Sequence, residues 1–133
     1  MKPRMLFVLV PLALLSACAA LDRRQTDDET LGQYMDHAGA PIESFTYLGR
    51  FDSWRALGRD KVFIKTGPND AYLLTVAGPC RDLQYANHIA ITSSGHTVSR
   101  RFDAVRVGDD RCMITEIRPV DYRQLRLALK QDR

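Results

Sequence analysis

The sequence predicts an α+β fold: a small antiparallel β-sheet or partly open barrel with a short internal helix, a C-terminal helix and one disulfide. Three observations predict it. Lys61 to Thr66 and Ala71 to Ala77 are rich in β-branched, aromatic and aliphatic residues and flank Gly67-Pro68-Asn69-Asp70, which has turn chemistry at every position. Val98 to Val107 and Arg111 to Val120 flank a second turn signal, Gly108-Asp109-Asp110. Beyond Pro119, Asp121 is placed to cap a helix in which Leu125, Ala128 and Leu129 recur at the spacing of an apolar stripe. This order of strands, short helix, strands and terminal helix puts helices to one side of an antiparallel sheet.

The amino terminus is read separately from the fold. Lys2 and Arg4 precede an apolar run from Met5 to Leu15, and Ser16-Ala17-Cys18 follows, so residues 1–17 have the charged, apolar and small-residue parts of an export signal. A helix of this run rises about 16 Å against a hydrocarbon core of about 30 Å, which disfavours a permanent span. Leu15-Ser16-Ala17-Cys18 resembles the lipobox of bacterial lipoproteins. That resemblance implies that Cys18 becomes the first mature residue and carries acyl chains, several of which anchor durably where one is marginal. Ala19, in place of an inner-membrane retention Asp, implies the outer membrane, facing the periplasm. Ala19 to Thr30 reads AALDRRQTDDET, too polar to bury a core. Residues 18–30 are therefore expected to be a lipidated Cys and a flexible tether reaching about 20 Å.

Residues 31–133 are expected to form one globular domain; the chain has 133 residues, 45% of them apolar and 26% charged. Leu31 to Gly39 suggests a helical turn and Ile42 to Leu48 a first strand, with Phe45 and Tyr47 on one parity. Gly49 and Gly58 bracket Phe51 to Leu57, read as a bend or short helix whose Trp54 plugs one end of the core. In the strand after the first hairpin turn, Tyr72, Leu74 and Val76 share one face and Leu73 the other, which places it centrally in its sheet. Gly78-Pro79 breaks that strand, so Pro79 to Ala86 is expected to be a short helix with Leu83 and Ala86 inward. Asn87 to Ser93 reads as a strand with Ile89 and Ile91 facing the core.

With Cys18 assigned to lipid, Cys80 and Cys112 remain, and an even pair in an oxidising compartment most simply makes one disulfide. The chain-entropy model assigns roughly 3.5 kcal/mol to closing an interval of this length. Cys80 as a nucleophile beside His88 or His96 has no support in spacing, and there is no Cys-x-x-Cys pair. His37, His88 and His96 are scattered without a zinc-type pair, and no phosphate-loop, dinucleotide or nucleophile-elbow motif occurs. No cofactor or metal is expected. Asp103, ahead of Val105, reads as a turn or strand-entry residue, not a catalytic acid. Beyond the signal stand 17 bases against 16 acids, no electrostatic footprint for nucleic acid. The 14 Arg against three Lys among them reflect coding composition more simply than phosphate recognition.

Tyr72-Leu73-Leu74-Thr75-Val76, Pro79-Cys80 with Leu83, Ala86 and Ile89, Phe102-Asp103 with Val105, and Cys112-Met113-Ile114 with Ile117 and Pro119 together resemble a family of small proteobacterial lipoproteins of unknown function. The resemblance covers about Trp54 to Asp121 and implies envelope location and a paired Cys80 and Cys112. It supplies no activity. The favoured function is a non-catalytic binding or accessory module meeting an envelope protein, glycan or lipid through loops such as Gly67 to Asp70 or through exposed aromatics such as Tyr34 and Tyr47. An inhibitor of wall-degrading enzymes is a subtype of this reading. The alternative is an envelope enzyme with dispersed polar residues, which a concave pocket of converging groups would favour.

Overall fold

The structure, a computed structural model, describes residues 27–78 and 80–132. Residues 27–36 are helical (α1). There follow β1 (Ser44–Thr46), β2 (Ser53–Leu57), β3 (Lys61–Lys65), β4 (Asp70–Val76), a 3₁₀ turn (Leu83–Tyr85), β5 (Ala90–Ile91), β6 (Thr97–Ser99), β7 (Ala104–Val107), β8 (Asp110–Asp121) and α2 (Tyr122–Gln131). Six strands make one curled antiparallel sheet, a half-barrel in the order β2-β3-β4-β8-β7-β5, and β1 and β6 form a separate ribbon.

β8 is the spine of the sheet. At about 3.3 Å per residue its 12 residues outrun any single neighbour. Its first residues pair with β7, from Asp110 opposite Val107 to Met113 opposite Ala104. Its later residues pair with β4 through Asp121 opposite Asp70. The register slips between Thr75 and Val76, leaving Thr115 as the extra residue of a bulge whose hydroxyl donates to the Thr75 carbonyl at 3.2 Å. The bulge bends the sheet and re-aims the two halves of β8.

The sheet separates two apolar layers. On the concave side, Val62, Ile64, Leu74, Val76, Ile114 and Ile117 meet Phe45, Tyr47 and Val98 of the β1–β6 ribbon. On the convex side, Phe63, Leu73, Ala71 and Val120 lie under α1 and α2, which contribute Tyr34 and the fully buried Leu125. β3 and β4 are therefore buried on both faces, which is why they read as near-continuous apolar runs. Asp121 caps α2, its side chain accepting from the Gln124 N–H at 3.1 Å. Gln33 of α1 donates to Asp132 beyond α2, joining the two helices. The Cys80–Cys112 disulfide ties the segment after β4 to the start of β8.

Several local expectations give way. Phe51 to Leu57 is neither bend nor helix: Ser53–Leu57 is an edge strand in full register with β3, with Trp54 and Ala56 turned to the core and Arg55 outward. Trp54 is only partly buried there. The strand expected over Val98 to Val107 is broken at residues 100–103, so β6 turns to pair with β1. Arg101 takes φ 70°, and the Asp103 carboxylate holds the Ser99 N–H at 2.8 Å. The helix expected from Pro79 to Ala86 shrinks to the turn at Leu83–Tyr85, with Leu83 fully buried; Pro79 lies outside the described residues. The strand from Asn87 to Ser93 shortens to Ala90–Ile91. Residues 27–30, read as the end of the tether, are helical. Cys18 and residues 1–26 lie outside the described residues.

Candidate functional site

Of two hollows among the described residues, the more enclosed opens at one end of the half-barrel, between the chain after β1 and the β3–β4 turn. It encloses about 360 Å³ and is lined by Thr46, Leu48, Arg50, Thr66, Asp70 and Tyr72. Its walls are fixed by local chemistry. Gly49 has φ 81°, a left-handed bend that a side chain would strain, and its neighbours Leu48 and Arg50 are exposed. The same stretch is fastened to β3, where the Asp52 N–H donates to the Lys65 carbonyl at 2.7 Å and the Lys65 ammonium meets the Asp52 carboxylate at 3.2 Å. In the opposite wall, the Thr66 N–H donates to the Asp70 carbonyl at 2.8 Å. A Cβ at Gly67 would come within 2.9 Å of an Asp70 carboxylate oxygen, so a larger residue there would push the Asp70 side chain aside.

Tyr72 forms the floor. It points to the concave side of β4, and its ring stacks on Phe45 with centroids 4.1 Å apart. Burial, and secondarily the charge of Asp70, raises its pKa; burial alone raises that of the neighbouring Tyr47. Both phenols stay protonated across the ordinary pH range, so they serve as hydrogen-bonding and stacking groups and not as bases or nucleophiles. The hollow thus combines three hydroxyls, one guanidinium, one carboxylate and an exposed aliphatic edge. It can recognise a polar ligand, but no general acid–base pair converges there.

A second hollow of about 600 Å³, broader and shallower, is lined by Asp36, His37, Gly39, Asn69, Asp121 and Gln124 among others. Its polar groups are largely occupied in joining elements. His37 Nδ1 lies 2.7 Å from the Gln33 carbonyl, Asp121 caps α2, and the Gly39 carbonyl accepts from Arg118 at 3.2 Å. It is a junction of α1, the β3–β4 turn and α2.

Of the features named from sequence, the Gly67 to Asp70 loop contributes Asn69 to one hollow and Asp70 to the other. Tyr34 and Tyr47 were expected as exposed aromatics and are instead core residues, each 4% exposed. Tyr34 meets Phe63 edge-on at 5.0 Å from the inward side of α1, and Tyr47, just past β1 and held by its N–H to the His96 carbonyl, packs against Phe45. Among the described residues, the aromatic side chains that do face solvent are Tyr85 and Phe102. Asp103 is a structural turn residue, 3% exposed; His88 and His96 are exposed, and Cys80 is held in the disulfide. Arg50, Thr46 and Leu48 were not singled out, since only the fold brings them to the turn of another hairpin. Among the described residues, no group of three or more His, Cys, Asp or Glu is placed to hold a metal ion, and no helix is long and apolar enough to cross a membrane.

A family model described as a family of unknown function, DUF6491, matches residues 1–133. The chain belongs to this family. No curated protein and no solved structure matches it.

Proposed function

We propose that this DUF6491 protein is a lipid-anchored envelope protein, tethered through Cys18 to the outer membrane and facing the periplasm, whose half-barrel is a non-catalytic binding module. The observation that carries the binding reading is the hollow at the barrel end. Barrel mouths are recurrent ligand sites, and a volume of about 360 Å³ falls within the usual range for small-ligand clefts. Hydroxyls of Thr46, Thr66 and Tyr72 both donate and accept, while Arg50 and Asp70 supply opposite charges at the rim. That set suits a hydroxyl-rich ligand without strong net charge, which points to a glycan of the cell wall or surface. Anchoring is supported by Leu15-Ser16-Ala17-Cys18 behind a short apolar run.

Two measurements test the reading. Mass analysis of the native protein is expected to find Cys18 as an acylated first residue; an intact Met1 would defeat the anchor. Titration with soluble wall-glycan fragments is expected to shift amide resonances at Thr46, Arg50, Thr66 and Tyr72, with Arg50→Ala weakening binding about tenfold. Shifts confined to other surfaces would remove the hollow from the reading.

A further inference from the structure

The convex face of the β7–β8 hairpin carries a charge arrangement that no internal contact explains. Arg106 and Arg111 stand directly opposite each other across the two strands. Val105, Val107 and Cys112 beside them fill the concave core, so both guanidinium groups project from the other face, where both residues are exposed. Opposed residues bring their Cβ atoms to roughly 5 Å, and like charges at that position repel. Four other basic side chains, Lys61, Lys65, Arg100 and Arg118, have acidic partners. Arg106 and Arg111 have no ion-pair or hydrogen-bond partner among the described residues, and the turn acids Asp109 and Asp110 are paired with neither. An external anion can bridge an opposed arginine pair of this kind, and the guanidinium fork matches phosphate oxygens in bidentate fashion.

Two further observations identify the anion's source. Phe102, in the turn that leads into β7, is 76% exposed while the next residue, Asp103, is buried and hydrogen-bonded to Ser99, and an exposed aromatic on the same hairpin as exposed basic groups suits a membrane-interface surface. The chain also enters from this end. Ala38 bridges Val120, whereas the Tyr34 ring meets Phe63, which is level through Leu73 with Arg118. α1 therefore descends toward the hairpin end as residue numbers fall, and residue 27 lies about 10 Å further along the helix axis than Tyr34.

We propose that this hairpin rests on an anionic lipid layer, with Arg106 and Arg111 on headgroup phosphates and Phe102, from the turn ahead of β7, entering the interface. The proposal depends on the tethered reading above. Its test is the full-length chain carrying Phe102→Trp, reconstituted in phosphatidylcholine vesicles with and without about one third phosphatidylglycerol, the signal of Trp54 being subtracted with the parent chain. On anionic vesicles the introduced indole is expected to emit at shorter wavelength and to lose most of its acrylamide quenching. Arg106→Gln with Arg111→Gln is expected to shift the balance about 30-fold toward the solvent-exposed state. Flotation reads the anchor separately. A chain that floats while the indole stays fully quenchable, or is protected equally on neutral vesicles or without the arginines, overturns this surface alone. A chain that floats on neither vesicle overturns both readings.

Discussion

Asp103 shows how one side chain sets the path of the chain. Its carboxylate accepts from the Ser99 N–H at 2.8 Å and the Thr92 hydroxyl at 3.0 Å, and that hydroxyl accepts from the Ala104 N–H at 2.9 Å. Asp103→Ala strands two buried donors and is expected to cost about 2–4 kcal/mol in urea unfolding, while Asp103→Asn, which keeps an acceptor oxygen, costs less than half of that. Equal losses for the two variants would refute the network. Asp103 was legible only as a turn or strand-entry residue; its partner Thr92 was not legible at all, because no local pattern links positions 11 apart. Glu43 and Arg100 illustrate the exposed counterpart. The Arg100 guanidinium hydrogen-bonds the Glu43 carboxylate at 2.7 and 2.5 Å, holding it below the usual carboxylate value against a smaller opposing effect of desolvation. A depressed folded-state pKa means a contribution present above the unfolded value and lost as pH falls through the folded one. Glu43→Gln is therefore expected to flatten the melting temperature against pH only on the acid side of about 4.5, an effect that added salt weakens; a flattening centred near neutrality would contradict it.

Among the elements, legibility followed how local the causes were. The β3–β4 hairpin, the capped α2 and the start of β8 were readable because turn residues, caps and period-two runs lie within a few positions of one another. β2 was not, since an edge strand with exposed Ser53 and Arg55 shows only half its alternation, and its identity comes from pairing with β3. The break between β6 and β7 was equally hidden: Val98, Val105 and Val107 suggest one strand, but Arg101 at φ 70° and the Arg101 N–H to Ile114 carbonyl bond at 2.7 Å turn the chain. The hollow inherits this difficulty, because Tyr72 and Asp70 lie on a readable hairpin while Arg50 reaches it through a glycine bend. The disulfide links the residues just ahead of the 3₁₀ turn to the part of β8 that pairs with β7. Replacing both Cys80 and Cys112 by Ala is expected to cost about 3.5 kcal/mol, the loop-closure value for this interval, while far-UV circular dichroism keeps its β signature. A loss below about 1 kcal/mol would mean that the unfolded chain is already restrained there.

At the scale of the whole molecule, one sheet supports two apolar layers, so neither can melt without removing a wall of the other. Leu125, fully buried under the convex face, touches the layer of Phe63 and Leu73, whereas Trp54 packs on the concave layer with Ile64 and Leu74. β3 and β4 belong to both, alternating Val62 and Ile64 with Phe63, and Leu74 with Leu73. Leu125→Ala removes a side chain with no exposed surface and is expected to cost about 2–5 kcal/mol. Because the layers share their strands, that loss should appear in Trp54 fluorescence at the same denaturant midpoint as in far-UV circular dichroism, although the substitution lies across the sheet from the tryptophan. If instead the helices unpeel first, with the dichroism midpoint lowered and the Trp54 transition unmoved, the convex layer is an independently melting cover. The half-barrel would then carry its terminal hollow unaided.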